Sequence, residues 1–308
     1  MDLNEINNIK IEEIPAECEY YDVMKGSHRH SVKVHDHGSV ALVDSMPRLA
    51  PVGQTADFAI VQAARVSYGA GTKKVSEDKG LIRYLFRHQH TSPFEMVEFK
   101  FHCVMPVFIA RQWIRHRTAN VNEYSARYSV MPDKFYHPSA NDVRKQSVSN
   151  RQGGEEPLDT KTAEEFLEYL DQVEASYKTY TNLLDKGLSR ELGRIGLPVS
   201  VYTEWYWKID LHNLFHFLRL RMDSHSQKEI RDYANTIFAL IRNIVPVACE
   251  AFVDYSFESI KLTRLEIEAI RSGKPINTTN KREAQEWEDK RKQLGLPEPD
   301  EQPKSESA

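Results

Sequence analysis

The sequence has few cysteines and no long apolar run, and both shortages narrow the class of protein. Its 308 residues include three cysteines, Cys18, Cys103 and Cys249, which lie far apart and form no CxxC pair. This argues against a disulfide framework and a zinc ribbon, and it favours reduced thiols in the cytosol. No run of 18 apolar residues is present, so no membrane span is predicted. The acidic, polar residues 1–19 lack the apolar core of a signal peptide, so we expect a cytoplasmic protein.

Two common signatures of cofactor and metal sites are also missing. The Gly-Ala-Gly of residues 69–71 follows a helical pattern and lacks the third glycine of GxGxxG, so no Rossmann module is expected. No HExxH motif occurs, and no metal site is predicted. A metal-dependent hydrolase is nevertheless the first alternative, because the sequence has three His-x-His pairs: His28 and His30, His35 and His37, His88 and His90.

The chain has no excess of positive charge. Its 45 acidic and 41 basic residues give a formal net charge of −4. Proteins that neutralise many phosphates are usually basic, so nucleic acid is not expected as a partner. A nucleic-acid-binding module remains the second alternative, because arginines and aromatic residues cluster locally.

Alternating and amphipathic segments predict strands between helices. Apolar and polar side chains alternate from Val97 to Cys103 and from Val199 to Ile209, which predicts two half-buried strands. Pro106 is expected to start a helix, and Asp210 to cap another. This order is compatible with antiparallel pairing, so the predicted fold class is α+β, an antiparallel sheet flanked by helices. Further helices are predicted over residues 56–66, 76–88, 160–187, 211–222 and 227–245.

Composition divides the chain into a main domain and three less regular parts. Residues 1–38 are polar and form an expected N-terminal extension, and residues 39–270 form the main domain. Residues 141–160 have almost no apolar side chains and are predicted to be a mobile surface insertion. Residues 271–308 are charged and are expected to be a disordered tail, in which Trp287 marks a transient helical turn or a partner contact.

An arginine cluster is the clearest candidate site. Residues 111–117 read RQWIRHR, and Arg111 and Arg115 share a helix face, where they repel each other unless an anion lies between them. Ser125 and Arg127 follow at loop distance, and arginine forks match phosphate oxygens in pairs. The alternative is a solvated face or a set of ion-pair partners. Three neighbours would wall a phosphate site and lower its dielectric constant: Trp113, Ile114 and Tyr124.

The same segment carries a resemblance to a known family. Residues 115–125 read RHRTANVNEYS, which resembles the Arg-His-Arg, seven residues, Ser signature of flavin-dependent thymidylate synthases. Three other segments resemble blocks of that family: residues 63–67 (AARVS), 90–95 (HTSPFE) and 218–227 (LRLRMDSHSQ). The resemblance covers roughly residues 40–260, in order, and implies that residues 39–270 have the flavin-dependent, thymidylate synthase-complementing fold.

The resemblance implies the reaction and its partners. Members of the family methylate dUMP at C5 to dTMP, with methylenetetrahydrofolate as the one-carbon donor and NADPH-reduced FAD as the reductant. They are homotetramers that bind flavin at subunit boundaries, which would explain the missing Rossmann module. No thiol is expected as nucleophile, because Cys103 lies within a predicted strand. No membrane partner is expected.

The implied dUMP site includes one catalytic residue, Arg221. In the family its equivalent lies against the pyrimidine and favours ionisation at N3, which makes C5 more nucleophilic. From the sequence alone, the alternative is a helix-end arginine paired with Asp223. The residues that the resemblance places at dUMP are Gln112, Trp113, Ile114, Arg115, Glu123, Tyr124, Ser125, Ala126, Arg127, Arg194 and Arg221.

The implied FAD site departs from the family at two positions. Members often have Asn at the place of Asp210 and Arg at the place of His212. Asp210 therefore either accepts hydrogen bonds from ribose hydroxyls or serves only as a helix cap. The residues that the resemblance places at FAD are Ser67, His90, Ser92, Arg115, His116, Arg117, Glu123, Asp210, Leu211, His212 and His216.

Overall fold

The computed structural model describes residues 19–25, 31–66, 78–147 and 154–298. These residues fall into two units that divide after Phe252. The strands, all in the first unit, are β1 (Tyr20–Asp22), β2 (Ser31–Val34), β3 (Gly38–Met46), β4 (Leu49–Pro51), β5 (Glu98–Pro106), β6 (Asn120–Glu123), β7 (Arg144–Gln146), β8 (Gly154–Pro157) and β9 (Tyr202–Asp210). The helices of that unit are α1 (Phe58–Val66), α2 (Asp78–Arg87), α3 (Ser92–Glu95), α4 (Val107–Trp113), α5 (Thr160–Glu174), α6 (Ser176–Asp185), α7 (Arg190–Gly193), α8 (Leu211–Arg221), α9 (Lys228–Ile241) and α10 (Pro246–Phe252).

A five-stranded antiparallel sheet organises the first unit, in the order β2-β3-β5-β9-β6. Strands β5 and β9 pair over their whole length, from Glu98 opposite Asp210 to Pro106 opposite Tyr202. Two short pairs, β1 with β4 and β7 with β8, are also antiparallel. The prediction of an α+β fold with an antiparallel sheet is therefore confirmed.

Alternation in the two central strands buries one face of the sheet. Phe99, Phe101 and Cys103 of β5 are fully buried, and Trp205 and Trp207 of β9 are buried on the paired strand. The first predicted strand is confirmed. The second begins three residues later than predicted, at Tyr202. The expected first residues, 199–201, are not paired in the sheet. The last of them, Val201, forms an isolated bridge with Phe135.

The predicted helices are present, but one is divided in two and another, predicted to reach residue 245, ends at Ile241. The helix predicted over residues 160–187 is two helices, α5 and α6, separated at Ala175. Helix α5 starts at Thr160 because the carboxylate of Asp159 accepts a hydrogen bond from the Thr162 N–H at 3.0 Å. Gly187 follows α6 with φ +94°, a left-handed conformation that glycine adopts without strain.

A cluster of aromatic side chains joins α4 to the sheet and to α8. The side chain of Trp113 is fully buried and stacks on Phe217 of α8, with ring centroids 5.1 Å apart. Its edges meet the rings of Trp205 and Trp207 at 5.5 and 5.1 Å. This packing fixes the end of α4, from which the arginine motif emerges.

The described part of the predicted insertion contains the β7–β8 pair. Every residue of these two strands is exposed, whereas Val143 and Ser147 beside them are buried. Residues 148–153 lie outside the described ranges, and the limits proposed for the insertion and the main domain stay predictions.

The second unit contains a π-helical turn (Val253–Phe257), α11 (Arg264–Ser272) and α12 (Lys281–Gln293). Helix α12 falls in the segment for which the sequence predicts a disordered tail, so that prediction is wrong for residues 281–293. Trp287 is 5% exposed rather than solvated, and Lys290 Nζ lies 2.8 Å from Glu266 Oε1 of α11. Within the described ranges, no helix is long and apolar enough to cross a membrane.

Candidate functional site

The arginine motif leaves the C-terminal end of α4 in a tight turn. Pro106, the predicted start of this helix, is the N-cap of α4, so the helix begins one residue later, at Val107. The helix closes with the Ile114 N–H on the Ala110 carbonyl at 2.9 Å. The His116 N–H then donates to the Trp113 carbonyl at 3.0 Å. As a result Arg115 and Arg117 are exposed whereas His116, between them, is buried.

Arg221, the last residue of α8, meets the end of α4. Its Nη2 donates to the backbone carbonyl of Gln112 at 3.3 Å, and the side-chain amide of Gln112 donates to Gln227 Oε1. Among the described residues, the buried Nε of Arg221 has no hydrogen-bond partner. Burial lowers the pKa of this guanidinium below its usual value. The side chain therefore holds a positive charge and an unused donor in a partly desolvated place.

The alternative for Arg221, an ion pair with Asp223, is not found among the described residues. Asp223 instead accepts hydrogen bonds from the backbone N–H and the ring Nδ1 of His225, both at 2.8 Å. Gln227 is a contact that sequence reasoning missed. It follows α8 in the same segment, residues 218–227, as Arg221. Spacing in the sequence does not predict which partner its side-chain amide binds.

His116 is surrounded by apolar and positively charged groups. Its ring lies edge-on to Phe217 and His216, with centroid separations of 5.0 and 5.6 Å. Burial, followed by the charges of Arg221 and His216, lowers the pKa of His116 to about 4. The imidazole is therefore neutral at pH 7 and offers one donor and one acceptor nitrogen.

The edge strand β6 presents Glu123 beside β9. Glu123 lies opposite Trp205 in the register, and its Oε1 accepts a hydrogen bond from the buried hydroxyl of Thr203 at 2.9 Å. Thr203 is a second residue that sequence reasoning missed. The available signal was a polar side chain in phase with the buried positions Trp205 and Trp207 of β9.

The turn after β6 carries Ser125 and Arg127. The Tyr128 N–H donates to the Ser125 carbonyl at 3.1 Å, and the Arg127 N–H lies 3.4 Å from Ser125 Oγ. The guanidinium Nε of Arg127 is 2.8 Å from Oε1 of Glu191 on α7. Arg194 follows α7 in a short 3-10 helix and is exposed.

The other residues predicted at dUMP differ in accessibility. The side chain of Trp113 packs in the core, so only its backbone is available to a ligand. Ile114 is exposed, and Tyr124 and Ala126 are half-buried. The Tyr124 hydroxyl donates to the Val130 carbonyl at 2.7 Å, which holds the turn that follows β6.

Asp210 caps α8, as predicted. Its Oδ1 accepts from the Asn213 N–H at 2.9 Å, and its Oδ2 accepts from the Asn213 side-chain amide at 2.6 Å. A contact between Asp210 and ribose stays a prediction. Next to it, Leu211 is fully buried and donates its N–H to the Val97 carbonyl, whereas His212 is half-buried.

The remaining residues predicted at FAD lie in separate elements. Ser92 begins α3, which packs against α8. His90 is exposed and stacks near Tyr84, with centroids 6.2 Å apart, while His216 is exposed on α8. Ser67 lies outside the described residues.

Of the histidine pairs behind the metal alternative, His88 and His90 both lie beside the ring of Tyr84, whereas His35 and His37 have separate partners. His35 Nε2 lies 3.7 Å from Asp232 Oδ2, whereas the ring of His37 packs edge-on against Tyr202. His28 and His30 lie outside the described ranges. One group with metal-ligand spacing occurs among the described residues, outside these pairs: His137, Asp171 and Glu174.

A cavity of about 360 Å³ opens beside the Thr203–Glu123 contact. It offers aromatic, acidic and basic groups. Its lining residues include Tyr124, Tyr202, Thr203, Glu204, His37 and Lys134.

Comparisons with known proteins agree on one family. Residues 45–247 match the family model described as thymidylate synthase complementing protein. A flavin-dependent thymidylate synthase of Dictyostelium discoideum is 84% identical over 290 residues, which cover 94% of this chain and 96% of that protein. One from Wolbachia pipientis wMel is 52% identical over 78% of this chain and 82% of its own length.

A solved structure has the same fold. The UMP/dUMP methylase PolB from Streptomyces cacaoi, bound with 5-Br UMP, is 34% identical, with a TM-score of 0.63. The match covers 73% of this chain and 98% of PolB. With a family model over about two thirds of its length and such close relatives, the chain belongs to the flavin-dependent thymidylate synthase family.

Proposed function

We propose that this chain methylates dUMP at C5 to give dTMP, with methylenetetrahydrofolate as the one-carbon donor and NADPH-reduced FAD as the reductant. The observation that carries the proposal is the meeting of Gln112, His116 and Arg221. Arg221 comes from a stretch of chain distant from Gln112 and His116, and the three bring a charged guanidinium, a neutral imidazole and a fixed amide together. The name shared by the relatives supports the same reaction.

The donor set suits an anionic, phosphorylated ligand. Arg115, Arg117, Arg127 and Arg194 are exposed, and guanidinium groups bind phosphate through paired hydrogen bonds. The unpartnered Nε of Arg221 adds a buried donor, which a ligand oxygen would satisfy.

We assign the phosphate of dUMP to Ser125, Arg127 and Arg194, which combine a hydroxyl with two cations. The pyrimidine is assigned to Gln112 and Arg221. A fixed positive charge beside N3 stabilises the anion formed there and raises the electron density at C5, and one such preorganised donor contributes about 3–4 kcal/mol. The other residues assigned to dUMP are Trp113, Ile114, Arg115, Glu123, Tyr124 and Ala126.

We assign FAD to the exposed edge of the same motif. The flavin supplies the redox chemistry when it is bound. Arg115 and Arg117 neutralise its phosphates, and neutral His116 and the carboxylate of Glu123 orient it. The other residues assigned to FAD are Ser67, His90, Ser92, Asp210, Leu211, His212 and His216.

No protein thiol is assigned a role in the transfer. Cys103 and Cys249 are free and buried, and burial raises the pKa of both thiols. A buried, protonated thiol is a poor nucleophile. The same free thiols favour a cytoplasmic location, where cysteines stay reduced.

We also propose a homotetramer with shared active sites. Large apolar side chains stand exposed near the proposed phosphate residues: Tyr128 is 74% exposed and Ile195 75% exposed. Large apolar side chains exposed beside functional residues favour an interface that covers them between subunits.

The test is the colour and reactivity of the purified protein. We expect a yellow protein whose flavin absorbance bleaches anaerobically with NADPH, and which forms dTMP from dUMP and methylenetetrahydrofolate. UMP assayed in parallel shows whether the chain shares the substrate range named for PolB. A colourless protein that fails to take up added FAD would contradict the proposal.

A further inference from the structure

Arg127, which the proposed function assigns to phosphate, already holds an anion from its own chain. Glu191 comes from α7, more than sixty residues later in the sequence, and places Oε1 at 2.8 Å from Arg127 Nε. The two side chains are 52% and 57% exposed. Both therefore lie at the surface, where a ligand from solution reaches them.

A carboxylate and a phosphate offer the same group to a guanidinium, an oxygen that carries negative charge. An exposed ion pair adds little to folding stability, so its exchange for another anion leaves the fold intact. A phosphate monoester carries close to two negative charges at neutral pH, and a carboxylate carries one. The monoester is therefore the stronger competitor for Arg127, whereas a ligand without phosphate does not compete.

We propose that Glu191 is an affinity- and specificity-determining residue of the phosphate site. Its carboxylate occupies Arg127 in the ligand-free chain, and the 5′-phosphate of dUMP displaces it. This inference rests on the proposed function, because it takes Arg127 as a phosphate ligand. Every ligand that uses Arg127 must first break the contact with Glu191, so this residue lowers the affinity for nucleotides and leaves nucleosides unaffected.

The experiment measures equilibrium binding of dUMP and of deoxyuridine to the full chain loaded with FAD. Glu191→Gln removes the charge and keeps the size of the side chain. We expect the Kd for dUMP to fall about two- to fivefold, the range of an exposed ion pair, and the Kd for deoxyuridine to stay unchanged. The gain should shrink as salt is added, because exposed charges are screened.

Two further variants separate this effect from a general change of charge or fold. Glu165→Gln neutralises an exposed glutamate of α5 that lies 3.9 Å from Lys161, and it should leave both ligands unaffected. In an Arg127→Gln background, Glu191→Gln should no longer tighten dUMP, because the competing contact is already gone.

The outcomes separate this inference from the proposed function. A wild-type chain that binds dUMP no better than deoxyuridine contradicts both. If the wild type prefers dUMP and Glu191→Gln leaves its Kd unchanged or higher, only the inference fails. Equal changes for dUMP and deoxyuridine also overturn it, because a competitor for phosphate cannot affect a nucleoside.

Discussion

Among single residues, Arg221 is held in place by its neighbours and is not committed to any anion of the described chain. Its Nη2 rests on a backbone carbonyl, and its buried Nε has no partner. An unpaired buried donor costs free energy, so a ligand that brings an acceptor to this Nε gains stability from the contact. In the proposed function the pyrimidine supplies that acceptor, which predicts that Arg221 serves the reaction and contributes little to the fold.

Replacing Arg221 tests whether this side chain serves the reaction or the fold. Arg221→Ala should keep its flavin and lower kcat for dTMP formation about 10²- to 10³-fold, the usual loss of one preorganised donor. The measurement is the flavin absorbance beside the rate of dTMP formation. Arg219→Ala, two residues earlier and exposed on the same helix, is the control and should stay near wild type. Full activity in Arg221→Ala would refute its assigned role.

His116 gives a prediction for stability against pH. Its pKa in the folded chain is about 4, below the usual 6.5, so the unfolded state binds the extra proton. Stability therefore falls as pH drops from 6.5 towards 4, by about 2 kcal/mol at pH 5 from this residue. Urea unfolding at pH 7 and pH 5 should show this loss in the wild type and a smaller loss in His116→Asn. The His88→Asn variant, at an exposed histidine whose ring packs on Tyr84, should lose as much as the wild type; equal losses in all three proteins would remove His116 as the cause.

At the scale of elements, α8 is held at two points along its length, and it places Arg221 at its end. Asp210 fixes its first turn through two hydrogen bonds to Asn213, and Phe217 fixes its middle against Trp113. Arg221, at its last position, is thus placed by packing that starts three turns away. Loss of the Asp210 cap should therefore lower the stability of α8 and have a smaller effect on the reaction.

The cap can be tested separately from flavin binding. Asp210→Ala should lower the free energy of unfolding by about 1 kcal/mol, whereas Asp210→Asn, which keeps a capping oxygen, should lower it by a few tenths. Urea midpoints measure the cap, and FAD titration of the same variants measures any contact with ribose. If Asp210→Ala unfolds at the same urea concentration as the wild type, the cap contributes nothing.

The elements also show how far a sequence predicts a fold. Strands β5 and β9 alternate between apolar and polar residues, and this period of two predicts both strands from the sequence. Strand β6 reads NVNE and has no such pattern; its strand conformation comes from pairing with β9, which only the folded chain provides. Helix α12 was missed because 13 mostly charged residues bury only Trp287 and Arg291, the latter through its ion pair with Glu288.

At the scale of the whole molecule, residues proposed to bind dUMP and FAD form two groups. Gln112, His116 and Arg221 form one, and Ser125 and Arg127 with its partner Glu191 form the other. Among the described residues, no hydrogen bond or ion pair joins the two groups. Motif spacing predicts which residues take part, but it does not predict whether they serve one site within a chain or two sites between chains.

Shared sites between subunits make a distinct prediction about mixed oligomers. If the two groups of one dUMP site come from different chains, Arg127→Ala damages one group and Arg221→Ala the other. Co-expression of the two inactive variants with different tags, followed by purification on both, should then recover part of the wild-type rate, because some sites combine two intact groups.

Each variant co-expressed with a differently tagged copy of itself is the control and should stay inactive, since every site then has the same damaged group. Mixed oligomers that are as inactive as the controls would place both arginines of a site in one chain. In that case a shared active site would not explain the exposed apolar side chains near Arg127. Recovery of activity would show that active sites are shared between chains, and these side chains would then belong to the interface that forms them.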